Sequence, residues 1–275
     1  MELGENTTPL RLCPRCHSYA SDLSDVEWAL IAPHRPAPKP LGRPRLANLR
    51  EVVNAILYMA ATGCQWRMLP KDFPPFTTVQ NYFYAWRDMG VLRAINNTLV
   101  TAAREQEGRE ASPSAGVIDS QSVKTTESGG IRGFDAGKKI SGRKRHIVTH
   151  TSGLLVGLVV HSAAIQDRDG AAEILKSIVK RWPWLRHVFV DGGYAGPKLK
   201  GAFKRIGRFA LETVKRTDKA KGFEVLPRRW VVERTFPWLG RCRRLARDFE
   251  RTIASAEAWI LVASIRLLTR RLARQ

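Results

Sequence analysis

The hydrophobic period of the sequence changes near residue 116, and this change limits the folds that the chain can adopt. Before it, apolar residues recur at three- and four-residue spacing, as over 47–62, which predicts an amphipathic helix that ends at Gly63. After it, β-rich runs alternate with helical segments, beginning with a strand predicted over 117–123. The order β-β-β-α-β-α-β-α predicts an α/β fold, a mixed sheet with helices on its faces.

Composition divides the chain into four segments. Residues 1–20 are interpreted as a polar extension, 21–106 as a small all-helical DNA-binding domain, and 107–115 as a linker. Residues 116–275 form the predicted α/β domain, which ends in a basic helix. A Cys-Pro-Arg-Cys motif in the extension has the spacing of half a zinc site, but the sequence holds no second pair. A flexible extension is therefore favoured over a metal site.

Positive charge dominates the composition, with 46 Lys and Arg against 25 Asp and Glu and a net charge of +21. Such an excess repels itself and favours a polyanionic partner, because counterion release then contributes affinity. We therefore predict nucleic acid as the partner, over an anionic membrane or a merely solvated surface. No apolar stretch is long enough to span a bilayer, and neither a signal peptide nor a disulfide pattern is evident, so we expect a cytoplasmic protein.

Three acidic residues stand at positions that favour chemistry over simple solvation. Asp119 lies inside a predicted strand, where aspartate is disfavoured. Asp191 ends a Val-Phe-Val run and precedes two glycines, which allow a ligand to approach the backbone closely. Glu233 flanks the apolar stripe of a predicted helix, and an ordinary ion pair with Arg229, four residues earlier, is the alternative interpretation. If the first two strands are parallel neighbours, Asp119 and Asp191 converge.

Clustered carboxylates repel one another and have raised pKa values unless something neutralises them. Mg²⁺ does so, since it prefers one or two carboxylates together with water and phosphate oxygens. Two such ions about 3.5–4 Å apart activate an attacking oxygen and stabilise the leaving one. The combination of an acidic triad and a cationic chain therefore indicates phosphodiester chemistry.

Six motifs follow one another along the chain from about residue 22 to the end. They are GCQWRMLP from Gly63, VIDSQSVKT from Val117, GRKRH from Gly142, VDGGY from Val190, WVVERTF from Trp230 and DFE from Asp248. In this order and spacing they resemble the IS5 family of bacterial insertion-sequence transposases. The resemblance implies a ribonuclease H-like mixed sheet flanked by helices, with a DDE triad formed by Asp119, Asp191 and Glu233.

The resemblance also implies a reaction and its partners. The enzyme would bind the terminal inverted repeats of its element as double-stranded DNA, free a 3′-hydroxyl by metal-dependent cleavage, and join that hydroxyl to target DNA. Two Mg²⁺ ions are expected, with Mn²⁺ as a substitute; Asp119 would contact both ions, and Asp191 and Glu233 one each. Handling two ends favours a homodimer, which we expect to be associated with the bacterial nucleoid.

A wider group of related enzymes carries Tyr, Arg, Glu and Lys around the third acid. Arg229 and Glu233 match that signature, whereas Leu226 and Gly240 replace the tyrosine and the lysine, and Arg241 and Arg243 are the expected substitutes for the lysine. The full set of expected DNA contacts is Lys124, Arg143, Lys144, Arg145, Arg229, Arg234, Arg241, Arg243 and Arg244.

Two other functions remain open from the sequence. One is a catalytically inactive DNA-binding repressor derived from a transposase, and the other is a ribonuclease H-like nuclease in which water is the only nucleophile. Among the remaining polar residues, His146 is interpreted as structural, because it lies in a predicted hairpin strand. Asp167 and Asp169 are interpreted as a turn and a helix cap.

Overall fold

The computed structural model describes most of the chain. The described residues are 19–38, 45–194, 201, 205–207, 209–214 and 229–274. Residues 1–18 of the predicted extension and most of a helix predicted over 197–206 lie outside this set.

The N-terminal part of the chain forms four helices. They are α1 (Asp25–Ile31), α2 (Leu49–Thr62), α3 (Phe76–Asp88) and α4 (Val91–Gln106). Ser24 and Glu27 start α1 with a capping box, in which each side chain accepts a hydrogen bond from the other residue's backbone N–H. Helix α2 ends at Gly63, whose φ of +73° lies in the left-handed region that glycine adopts without strain. The helix predicted over 47–62 is therefore confirmed, with a start two residues later.

The second part of the chain contains a six-stranded mixed sheet. Its strands are β1 (Ala115–Lys124), β2 (Gly133–Asp135), β3 (Ile140–His150), β4 (Leu155–Ser162), β5 (His187–Val190) and β6 (Ala210–Thr213). Strand β3 is antiparallel to β1 on one edge and to β2 and β4 on the other. Beyond β1 come β5 and then β6, each parallel to its neighbour. The order β4-β3-β1-β5-β6 is consistent with the predicted ribonuclease H-like fold.

Helices cover both faces of the sheet. Helix α5 (Asp167–Ile178) packs on β3 and β4, and α6 (Arg229–Gly240) packs on β1 and β3. Successive residues of a strand point to opposite faces, so β3 packs against α5 with one face and against α6 with the other. His146 faces α5, where it lies beside Gly170, and Ile147 faces α6. The middle of the sheet is therefore shielded from solvent on both sides.

Helix α7 (Ile253–Leu272) joins the two parts of the molecule. It contacts all four N-terminal helices as well as β4 and α6. Trp259 is 1% exposed and stacks on Phe83 of α3, with ring centroids 4.4 Å apart. The basic residues of the C-terminal helix lie in its last two turns, whereas the rest of α7 is mainly buried in the core. Its buried face lies against the N-terminal helices, so the predicted helical and α/β segments share one hydrophobic core.

The predicted linker over 107–115 runs close to the rest of the protein. The Arg104 guanidinium donates to the carbonyl of Glu110 at 2.8 Å, and Arg109 donates to the Thr151 hydroxyl at 2.9 Å. These bonds fix the chain between α4 and β1. Within the described residues, the structure has no helix with both the length and the apolar character needed to cross a bilayer.

Candidate active site

The register of two parallel strands places Asp119 beside Asp191. Val117 of β1 pairs with Phe189 of β5, and the aspartates follow two residues later, Asp119 within β1 and Asp191 directly after the end of β5. Neighbouring strands lie about 4.8 Å apart, so the two aspartates occupy adjacent positions where β5 ends. Backbone N–H groups orient both carboxylates: Ser120 donates to Asp119 at 2.7 Å, and Gly193 donates to Asp191 at 2.9 Å.

Helix α6 runs alongside β1 in the same direction. In the middle of α6, the Thr235 hydroxyl donates to the carbonyl of Gly153, in the turn that precedes β4 at the end of the sheet where β1 begins. Further along, Phe236 and Leu239 line a pocket of about 200 Å³ with Gln121, which lies on the same face of β1 as Asp119.

Helix α6, which covers the face of β1 that includes Asp119, carries Glu233 two residues before Thr235 and three before Phe236. Glu233 is thus on the helix that packs against the strand of Asp119. Its side chain is exposed, whereas Asp119 and Asp191 are half-buried.

The three acids are not drawn into one closed cluster. Over the described ranges, no group of three or more His, Cys, Asp or Glu side chains is arranged to hold a metal ion. The residues themselves have the chemistry that a hard divalent cation prefers, because they are carboxylates within β1, just after β5 and on the helix that packs against β1.

Tyr194 adds a buried hydroxyl to this edge of the sheet, and the sequence assigned it no role. Its side chain is fully buried. Burial, followed by the nearby charges of Asp119, Asp167 and Asp191, raises the pKa of Tyr194 well above its usual value. The hydroxyl therefore stays protonated at neutral pH. The signal for it in the sequence was an aromatic residue three positions after an acid at a strand end.

A polar network supports β1 from the face opposite Asp119. Lys144 of β3 forms ion pairs with Asp167 at 2.8 Å and with Asp135 at 3.2 Å. The hydroxyls of Ser120 and Ser122 donate to these same two carboxylates, at 2.9 and 2.6 Å respectively. Two serines at alternate positions of a strand were the sequence signal for a polar patch inside the sheet.

Asp167 is therefore more than the turn or cap residue that the sequence indicated. It is the first residue of α5, and Gln166 is the N-cap. Burial alone would raise the pKa of Asp167, but the nearby His146 imidazole, the Lys144 ammonium and the Ser120 hydroxyl hold it well below its usual value. The carboxylate stays charged and ties α5 to the strand that carries Asp119.

His146 is completely buried next to this network. Burial is the main reason that its pKa is lowered to about 4, and the neighbouring His161 adds to the effect. The two imidazole rings meet edge to face, with centroids 4.7 Å apart. A neutral, enclosed imidazole supports the structural interpretation of His146.

Four of the predicted DNA contacts face the interior of the protein and are corrected here. They are Arg143, Lys144, Arg145 and Arg244, each less than 9% exposed. Arg143 bonds the Asp248 carboxylate at 3.2 Å, and Arg244 bonds the Glu250 carboxylate at 2.6 Å. The basic run on β3 resembles a surface stretch in the sequence, but both faces of that strand are covered. These side chains are held by protein acceptors and stabilise the fold.

The other predicted contacts differ in exposure. Those at the surface are Lys124, Arg241 and Arg243. The Arg234 guanidinium lies between Trp230 and Trp238, 4.2 and 4.1 Å from the two ring centroids. The side chain of Arg229 lies outside the described residues, and so does the alternative ion pair that it would form with Glu233.

Comparison with known protein families shows which family this chain belongs to. Residues 110–268, more than half of the chain, match the family described as "Transposase DDE domain". The chain belongs to this DDE transposase family. Domains of the family use divalent metal ions. Residues 23–96 match a second family, described as "Putative transposase of IS4/5 family".

Two relatives support this DDE transposase assignment over shorter segments. The chain is 31% identical over 117 residues to the "Putative transposase for insertion sequence element IS402" of Burkholderia cepacia, a match that covers 40% of the chain and 54% of the relative. It is also 33% identical over 85 residues to the "Uncharacterized protein y4sN" of Sinorhizobium fredii, a match that covers 31% of the chain and 66% of the relative. The chain thus spans about half to two thirds of the length of these relatives.

Proposed function

We propose that this DDE transposase binds the terminal inverted repeats of an insertion sequence, cleaves DNA there with divalent metal ions, and transfers the resulting 3′-hydroxyl to target DNA. The observation that supports the proposal is the parallel pairing of β1 with β5, whose register puts Asp119, within β1, next to Asp191, just past the end of β5, in a chain of this family. The exposed arginines and the net charge of +21 suit a DNA substrate.

The residues have distinct roles in the proposal. Asp119 and Asp191 would hold the cations from β1 and from the end of β5, and Glu233 would hold them from α6. When bound, a pair of Mg²⁺ ions, or Mn²⁺ in their place, supplies charge stabilisation at the reacting phosphorus. Both steps use one site, because each is an in-line attack on a phosphodiester.

Groups around the carboxylates keep them in place. The ion pairs of Lys144 and the hydroxyl of Ser120 hold the strand that carries Asp119 from the opposite face. Tyr194 remains a neutral hydroxyl beside the acids and adds no further negative charge to repel DNA. The network thus orients the donors.

In this proposal, DNA is contacted by the predicted basic residues that are not buried, Lys124, Arg234, Arg241 and Arg243, together with Arg229, whose side chain lies outside the described residues. An arginine guanidinium offers a planar fork that matches phosphate oxygens. A homodimer would bring the two ends of the element together.

The test is cleavage of a duplex that carries the inverted repeats flanking the coding region. With Mg²⁺, the wild-type protein should nick this duplex and join a pre-cut 3′-hydroxyl end to a second duplex. Asp119→Asn and Asp191→Asn should reduce both reactions to background while DNA binding persists. Glu105→Gln, an exposed carboxylate on α4, is the matched control and should retain activity.

The same assay separates the alternatives. Hydrolysis without joining would indicate a nuclease in which water is the only nucleophile, and would contradict transposition. Binding without cleavage by the wild-type protein, in Mg²⁺ and in Mn²⁺, would indicate a DNA-binding repressor.

A further inference from the structure

A groove between α6 and α7 is lined by five arginines. Trp238, Ala263 and Leu267 form its apolar walls, and its volume is about 520 Å³. The arginines are Arg241, Arg266, Arg270, Arg271 and Arg274. Phe236 and Gly240 of α6 instead line the pocket against β1. The arginine groove is thus on a different side of α6 from the strand that carries Asp119.

Few carboxylates neutralise this arginine groove. Arg270 lies 3.9 Å from Glu27, and Arg271 is paired with Glu107. In the part of the chain that the structure describes, no carboxylate lies within 4 Å of the remaining three, Arg241, Arg266 and Arg274. The groove therefore carries a concentrated positive charge that the fold does not balance.

Arg266 has hydrogen-bond donors to spare. Its Nε is buried and has no acceptor among the described residues, and its Nη1 has the Cys242 Sγ at 3.8 Å. Burial and the neighbouring Arg266 lower the pKa of Arg270, which reflects the crowding of like charges. An anion in the groove would relieve this repulsion and accept the unused donors.

The spacing of the arginines suits a linear chain of phosphates. Arg266, Arg270 and Arg274 follow one another at four-residue intervals along α7 and its end, which corresponds to about 12 Å at 1.5 Å per residue. One strand of duplex DNA presents a phosphate about every 3.4 Å along the helix axis, so the stripe spans about three to four phosphates. All the cations are arginines, whose forked geometry matches phosphate better than the ammonium of lysine does.

We infer that the arginine groove between α6 and α7 binds the phosphate backbone of duplex DNA, along a track separate from the candidate active site. The inference rests on the proposed function for the identity of the polyanion, but it does not depend on catalysis. An acidic segment of a second copy of the chain is the competing occupant, and the experiment below distinguishes the two.

The test measures the salt dependence of DNA binding by fluorescence anisotropy, with a labelled duplex of about 30 base pairs and arbitrary sequence, between about 0.05 and 0.3 M NaCl. The variant is Arg241→Gln combined with Arg274→Gln, since both side chains are exposed and have no carboxylate partner among the described residues. Lys176→Gln combined with Lys180→Gln is the control, because it removes the same charge from exposed positions in and just after α5.

The groove variant should bind more weakly, and its slope of log K against log salt should be shallower by about 1.8, or about 0.9 for each lost phosphate contact. The lysine control should keep the wild-type slope. Equal slopes for both double variants would overturn the inference. So would a groove variant that loses dimer mass in sedimentation while its DNA slope is unchanged, since the groove would then bind a second copy.

Failure of the inference and failure of the proposed function give different results. If the wild-type protein cleaves its repeat ends and the groove variant binds DNA normally, the groove assignment and the DNA contact proposed for Arg241 are wrong, whereas the proposed reaction stands. If the wild-type protein binds no duplex at all, both are wrong. If Asp119→Asn abolishes cleavage and the groove variant alone changes the salt slope, both hold.

Discussion

Arg143 shows how a single side chain changes role once its surroundings are known. In the sequence it belongs to a run of three basic residues, which is typical of a surface that contacts DNA. In the structure it is 0% exposed, and its guanidinium bonds Asp248 and the carbonyls of Ile131, Glu250 and Arg251. The buried Arg143 guanidinium is hydrogen-bonded through each of its three nitrogens. It therefore holds the segment that contains Asp248, Glu250 and Arg251 against the sheet.

Replacing Arg143 should therefore destabilise the fold. We expect Arg143→Ala to lower the free energy of unfolding by about 3–5 kcal/mol, because it leaves the Asp248 carboxylate buried without its partner. Urea denaturation followed by circular dichroism measures the change. Arg247→Ala, at an exposed position nearby, should cost less than about 0.5 kcal/mol. Similar stabilities for the two variants would contradict the structural role.

Buried histidines should make the stability depend on pH. Burial, with the positive charges of Arg104, Arg109 and Arg271, lowers the pKa of His150 to about 3, whereas an unfolded chain has a histidine pKa of about 6.5. The unfolded state therefore binds more protons between these values, and stability should fall as the pH drops below about 6.5.

His150→Asn should flatten this dependence, because it removes the titrating group and keeps an acceptor for the Ser152 N–H. We expect the slope of unfolding free energy between pH 4.5 and 6.5 to decrease by up to about 1.4 kcal/mol per pH unit. Urea unfolding at several pH values measures it, and the difference at pH 7.5 corrects for the packing change. An unaltered slope would show that His150 is not buried in its neutral form.

Among the secondary-structure elements, local patterns were predictable and distant pairings were not. The strand predicted over 117–123 is observed over 115–124, and the run over 187–190 is a strand with those same bounds. Both have apolar patterns that only a buried strand explains. By contrast, β2 has three residues and no apolar pattern, and β3 begins at Ile140 with charged residues that are buried only because helices cover both faces.

The same limit applies to the candidate site. Asp119 and Asp191 could be proposed from their strand context, but their adjacency depends on β1 and β5 being parallel neighbours. That pairing links residues about seventy positions apart, and no local pattern specifies it. The ion pair of Lys144 and Asp167, which holds the strand of Asp119, was not predicted. From the sequence alone, two residues that form a buried ion pair cannot be distinguished from two surface charges.

We expect the stability of both the N-terminal helices and the sheet to depend on helix α7. We expect Trp259→Ala to reduce the free energy of unfolding by about 3–5 kcal/mol, since it opens a cavity against Phe83 in the shared core. Trp184→Ala, at a tryptophan that is 53% exposed, is the control and should cost far less. A large effect at Trp184 and none at Trp259 would contradict the packing described for α7.

For the whole molecule, net charge opposes the compact state. A chain with a charge of +21 repels itself, and salt weakens that repulsion when the Debye length falls from about 14 Å to about 4 Å between 0.05 and 0.5 M NaCl. We therefore expect the melting temperature to rise over this range. Differential scanning fluorimetry measures it, and an uncharged sugar at equal osmolality is the control. A melting temperature that falls as NaCl is added, but not as the sugar is added, would show that ion pairs outweigh the general repulsion.

The position of α7 in the chain has a consequence for synthesis. A ribosome makes α1 to α4 first, yet the aromatic surface of α3 is covered by a helix translated more than 150 residues later. Until that helix leaves the exit tunnel, the early helices carry an uncovered apolar face that other nascent chains or chaperones can bind. A product that stops before residue 253 lacks this cover altogether, so premature termination should yield insoluble chains rather than a shortened active protein.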